Sequence, residues 1–126
     1  MEIGRFHKKD IAKRQLQTAL ELFFAGGDLF SVVTLAAAAE EMLGELLRQE
    51  SGGGGGVFRS VLHLFTSRKG EPVSSGTLKE SECYLHMDPR QEAVFLLGRC
   101  IDDYRALEGD ATEEMLRFDR EIRGEG

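Results

Sequence analysis

Between residues 28 and 50, DLFSVVTLAAAAEEMLGELLRQE, apolar side chains recur every three or four positions. The stretch has no proline and one internal glycine, and it is dense in Leu, Ala, Met and Glu, which favour helix. Asp28 is placed to cap its start. A helix of this length runs roughly 34 Å. On a helical projection Leu29, Val32, Val33, Ala36, Ala37, Ala39, Met42, Leu43, Leu46 and Leu47 cover more than half the circumference. Thr34, Glu41, Glu45 and Arg48 take the rest. So wide an apolar arc predicts contact with more than one helix, hence the central helix of a bundle. Glu40 interrupts the arc. It is in phase with Val33, Ala36, Leu43 and Leu47, so its carboxylate is predicted to point inward. There it must be paired, hydrogen-bonded or protonated. It is either a structural contact that fixes helix register or a wall of a functional cavity.

The same reading extends along the chain. Residues 6–25 predict a helix with Ala12, Leu16, Ala19, Leu20, Phe23 and Phe24 on one stripe. Gly26-Gly27 ends it, and the short connection predicts an antiparallel hairpin with the central helix. Gly44 and the Ala36–Ala39 run form a small-residue surface. The five glycines 52–56 predict a flexible linker, because no Lys-Ser/Thr follows to make a phosphate loop. Residues 57–66 predict a short helix, with a strand as the competing assignment. Phe58, Val61, Leu62 and Phe65 share one face, and Arg59 and His63 lie together on the other. Residues 67–87 predict a long loop, with a brief strand or turn near Cys83–Met87.

Asp88-Pro89-Arg90-Gln91 is a helix-start signal. The helix is expected to reach about Leu107, with Ala93, Val94, Leu96, Leu97, Cys100, Ile101, Tyr104 and Leu107 inward. Arg99, Asp102, Asp103 and Arg105 are expected outward. In this reading Tyr104 is the partner offered to Glu40, and Arg99 faces solvent. Gly109 ends the helix, and Asp110 with Glu113 predicts a cap for a last helix carrying Met115, Phe118 and Ile122. The RGEG tail is expected to fray. Together these elements predict an all-α domain over 1–126: an up-down bundle of four main helices plus a short C-terminal helix.

Composition narrows the function classes. The chain has 126 residues, enough for a core without staples, and 41% of them are hydrophobic. No apolar run can span a bilayer, and MEIGRFHKKD lacks the apolar run of a signal peptide, so the expected compartment is the cytoplasm and no membrane partner is expected. Two cysteines make neither a disulfide framework nor a zinc cluster. The net charge of −6 argues against a broad nucleic-acid surface, and no DNA partner is expected. Arg5, Lys8, Lys9, Lys13 and Arg14 nonetheless concentrate positive charge in the first 14 residues, while residues 102–126 are rich in Asp and Glu.

The segment ALELFFAGGDLFSVVTLAAAAEEMLGELL, residues 19–47, resembles HEPN domains. There a Gly-containing turn precedes a helix patterned A-x-x-A-E-x-x-L-x-x-L, matched here by Ala36, Ala39, Glu40, Leu43 and Leu46. The resemblance implies a four- or five-helix bundle, a homodimer, and a place in a prokaryotic stress, defence or toxin–antitoxin system. Many such domains are metal-independent endoribonucleases with an Arg-x(4 to 6)-His motif at the dimer cleft, and others lack the motif and act as partners or binding modules. Arg59 and His63 are separated by three residues, one short of that motif.

Three functions follow as expectations. In a ribonuclease, Arg59 would bind phosphate and His63 would move protons, with no cofactor. The alternative is a non-catalytic dimerisation or interaction module, with RNA or a protein as partner. The third is a metal-dependent all-α nucleotide pyrophosphatase, for which Glu40, Glu41, Glu45, Asp102 and Asp103 are the acids at hand. They do not share one face, and no metal site is expected.

Overall fold

The structure, a computed structural model, describes residues 3–51 and 79–124. Four α-helices are found there: α1 (Lys8–Phe24), α2 (Leu29–Ser51), α3 (Pro89–Glu108) and α4 (Glu113–Glu121). A single 3-10 turn, Glu80–Cys83, precedes α3, and the described residues contain no strand. The protein is an all-α helical bundle. The expected helix at 57–66, with Arg59 and His63, and the glycine run lie outside the described residues.

Side-chain caps set most helix starts. Asp88 accepts from the Arg90 and Gln91 N–H groups at 3.1 and 3.2 Å, and Pro89 follows it in the position where no donor is needed. Asp28 accepts from the Ser31 N–H at 3.2 Å and from its hydroxyl at 2.7 Å, which holds its carboxyl below the usual carboxylate range. Gly26 and Gly109 close α1 and α3 with positive φ, 74° and 78°. The last helix departs from expectation. Thr112, not Asp110, caps it, accepting from the Met115 N–H at 3.3 Å. The Thr112 hydroxyl also donates to Gln17 of α1 at 2.6 Å, so one side chain both starts α4 and docks it.

Contacts at the two ends of the bundle fix its directions. Arg90 lies over the Phe23 ring, 5.1 Å from its centre, where α1 ends and α3 begins. At the other end Lys9 pairs with Glu108 at 3.2 Å. α3 therefore runs antiparallel to α1. Lys8 pairs with Glu45, so α2 also runs antiparallel to α1 and hence parallel to α3. Leu16, Leu20, Val32, Val33, Leu43, Leu96, Leu97, Ile101, Met115 and Phe118 fill the core between them, all fully buried. Phe118 meets Phe23 edge-to-face at 5.8 Å, which seats α4 on the end of α1. Ala36, Ala37 and Ala39 are fully buried too, and their small side chains let α3 come close enough for the Cys100 thiol to donate to the Ala36 carbonyl at 3.1 Å.

Arg123, the first residue of the tail expected to fray, is held against the bundle, and residues 125–126 lie outside the described residues. The Arg123 guanidinium contacts Asp102 at 2.9 Å and Asp119 at 2.8 Å, and donates to the Gly98 carbonyl at 3.3 Å. A Cβ at Gly98 would lie 2.9 Å from that guanidinium, so glycine makes room for the clasp. No helix among the described residues is long and apolar enough to cross a membrane.

Candidate functional site

Glu40 is buried, with 1% of its surface exposed, as its phase in the apolar arc predicts. Its surroundings differ from expectation. Arg99 of α3 reaches back over the helix edge and places a guanidinium nitrogen 3.5 Å from Glu40 Oε2. About half of the Arg99 side chain stays in solvent. Tyr104 is buried, but it faces α1, where the Lys13 ammonium sits 5.9 Å from its ring centre. Helix α3 turns Tyr104 toward α1, and the partner it offers Glu40 is the arginine a turn and a half earlier.

Asp103 completes the seam. It lies one turn after Arg99 on the same edge of α3, and half-buried against Glu40. Burial, followed by the hydrogen bond and negative charge of Glu40, pushes its carboxyl up to about 7, against a smaller opposing pull from Arg99. Two carboxyls this close share a proton in preference to both ionising. The adjacent Asp102 points elsewhere, toward Arg123. One step along a helix separates an acid that holds a proton near neutrality from one committed to a salt bridge. Cys100 lies between Arg99 and Asp103 in sequence and is fully buried. Its thiol is pushed well up by burial and then by the charges of Glu40 and Asp103, so it stays protonated.

Gly44 explains itself here. A Cβ at that position would stand 3.0 Å from Glu40 Oε2 and 2.9 Å from the Arg48 guanidinium. The glycine clears space for the acid and brings a second arginine to the same edge. The acids considered for a metal do not converge. Glu45 is engaged by Lys8 and Asp102 by Arg123, and no group of three or more His, Cys, Asp or Glu that could hold a metal occurs among the described residues.

Two aromatic side chains of α2 and α3 are exposed. Phe95, 54% exposed, lies one turn before Arg99, whose guanidinium is 5.8 Å from its ring centre. Phe30, 48% exposed, opens α2. Because α2 and α3 run parallel, and Cys100 lies level with Ala36, the two rings come at the same end of the bundle. The chemistry available at the seam is a carboxyl pair that takes up or releases one proton near neutral pH, a half-exposed arginine that fixes one of the charges, and a flanking aromatic surface. Comparison with known proteins adds no relative: no family model, no curated protein and no solved structure matches this chain.

Proposed function

We propose that this chain is a HEPN-like helical interaction module of a prokaryotic stress or defence system, and that it self-associates through the end of the bundle bearing Phe30 and Phe95. Support comes from the resemblance of residues 19–47 and from a bundle in which Ala36, Ala39, Glu40 and Leu43 all turn into the interior. The observation that carries the reading is the pair of exposed phenylalanines at one end of the α2–α3 seam, one of them under the arginine that holds Glu40. Large apolar side chains grouped on an otherwise charged surface mark contact sites, and a self-complementary patch on a two-fold axis is the commonest closed solution.

Light scattering coupled to size exclusion tests this. The wild-type protein is expected to elute as a dimer at micromolar concentration, and Phe30→Ser with Phe95→Ser as a monomer with unchanged helicity. A wild-type monomer at every concentration would sink the proposal.

The Arg59–His63 pair favours a second reading, a metal-independent endoribonuclease. It is tested on the same preparation with a labelled structured RNA. Cleavage that survives EDTA and disappears in His63→Ala supports that reading, and an uncleaved RNA leaves the interaction module.

A further inference from the structure

The end of the bundle where α1 begins joins unpartnered positive charge to exposed apolar side chains. Of the five cations in residues 5–14, two are engaged inside the fold: Lys8 with Glu45 and Lys9 with Glu108. Arg5, Lys13 and Arg14 are exposed and have no acidic partner among the described residues. These three line one cleft of about 250 Å³, and Asp10 is the only acid on its walls. Lys13 and Arg14 stand one and a half turns into α1, so the cations spread over roughly 9 Å of helix axis. The remainder of the chain is acidic. The net charge is −6, and residues 102–126 are rich in Asp and Glu. A molecule charged in this way has a positive pole at the start of α1 and turns that pole toward a negative surface.

Ile3 and Phe6 stand beside the cations. They are 91% and 66% exposed, the two most exposed large apolar side chains among the described residues, and Arg5 lies between them in sequence. The Phe6 ring shares its cleft with the three cations. An apolar pair of this size holds a bilayer surface weakly, and cations alone are screened by salt. Together they match a surface with negative headgroups outside and acyl chains beneath. Arginine is suited to the headgroup side, because its planar fork takes two phosphate oxygens at once. A polynucleotide would engage the cations as well, but it would leave the aliphatic Ile3 in water.

We propose that residues 3–14 dock this chain on an anionic lipid surface, with Arg5, Lys13 and Arg14 on the headgroups and Ile3 and Phe6 in the acyl boundary. This departs from the expectation of no membrane partner, which concerned spanning. Docking of this kind needs no membrane-crossing helix, and none occurs among the described residues. Phe30 and Phe95 lie at the other end of the bundle, so the inference does not rest on self-association.

The experiment is flotation of the full chain with vesicles of phosphatidylcholine alone and of an equimolar mixture of phosphatidylcholine and phosphatidylglycerol. It is repeated on Arg5→Glu with Arg14→Glu, and on Ile3→Ser with Phe6→Ser. All four positions are exposed, so unchanged circular dichroism is expected. Wild-type binding to the mixed vesicles and not to phosphatidylcholine, weakened about tenfold or more in each double variant, supports the proposal. No flotation with the mixed vesicles at low salt overturns it, and so does equal binding to phosphatidylcholine. A loss confined to the charge variant also overturns it, because the cations would then serve any polyanion. An oligouridylate bound equally by wild type and by Ile3→Ser with Phe6→Ser would identify that outcome.

Discussion

Glu40 and Asp119 are the two buried acids among the described residues, and the fold treats them differently. Asp119 lies between two arginines. It accepts from Arg105 at 3.0 Å and from Arg123 at 2.9 Å, so positive charge surrounds it. Glu40 has one arginine at 3.5 Å, and on its other side a second carboxyl that is pushed up to about 7. The first arrangement is a clasp that joins α3, α4 and the tail. The second carries an excess of negative charge that is relieved by a proton. A buried acid surrounded by cations holds a structure in one state, whereas a buried acid facing another acid makes the packing of two helices depend on solution conditions.

The comparison breaks most visibly at Asp119. Asp119→Ala removes the shared anion from two guanidiniums. Arg105 is half-exposed and can rehydrate, and Arg123 keeps Asp102, so the cost falls below that of a fully buried broken pair: about 2–3 kcal/mol in urea unfolding. The loss is expected to be much the same at pH 6 and pH 8. A loss under about 1 kcal/mol would show that the clasp is ornamental and that Phe118 and the Thr112–Gln17 contact seat α4 without it.

Asp103→Asn tests the other member of the comparison. The folded carboxyl holds its proton up to about pH 7, against a value of 3.8 for the free side chain. Between those limits the folded state binds more protons than the unfolded one, so this group's contribution to stability declines as pH rises from about 4 and levels off above about 7. In wild type that decline should appear between about pH 4 and 7 relative to the variant. Asp103→Asn should be the more stable protein at pH 8, by about 1 kcal/mol once its half-exposure is allowed for. Glu40→Gln should lower the Asp103 midpoint only part-way, because burial is the larger cause of the shift. Carbon-13 titration of the Asp103 carboxyl reads this directly, and a midpoint near 4 in wild type would remove the distinction between the two acids.

Much of this was legible in the chain. Helix spans followed from periodicity and caps, because each depends on residues within a few positions of one another. Inward Glu40 followed from the same phase argument. Its partners did not. Arg99 and Asp103 sit on the edge of the α3 polar face, and whether an edge residue meets water or a neighbouring helix depends on packing angle and register, which one helix does not encode. Arginine adds to the difficulty, since its length lets it cross an edge that a projection assigns to solvent. Tyr104 points inward, as its phase predicts, but toward α1 and away from Glu40, because two helices, α1 and α2, flank the inward face of α3. One available signal was Arg99 and Asp103 four apart astride a buried cysteine, a spacing that puts opposite charges together on one helix edge. The Arg123 clasp carried such a signal only for Asp119, four residues away at helical spacing; its contacts to Asp102 and Gly98 come from residues far away in sequence.

The smallest effect sharpens the comparison by supplying its baseline. Arg120 and Glu113 are both well exposed and approach to only 3.9 Å. Arg120→Ala removes a full charge from the same short helix that carries Asp119, two of whose arginine partners would be untouched. Water screens an exposed pair, and fixing two long side chains costs entropy, so the expected change in unfolding free energy is about 0.5 kcal/mol or less. A value near that of Asp119→Ala would mean that stability in α4 responds to net charge and not to burial. A value near zero leaves burial as what separates the clasp from the surface around it, and makes the pH response at Asp103 a property of the seam.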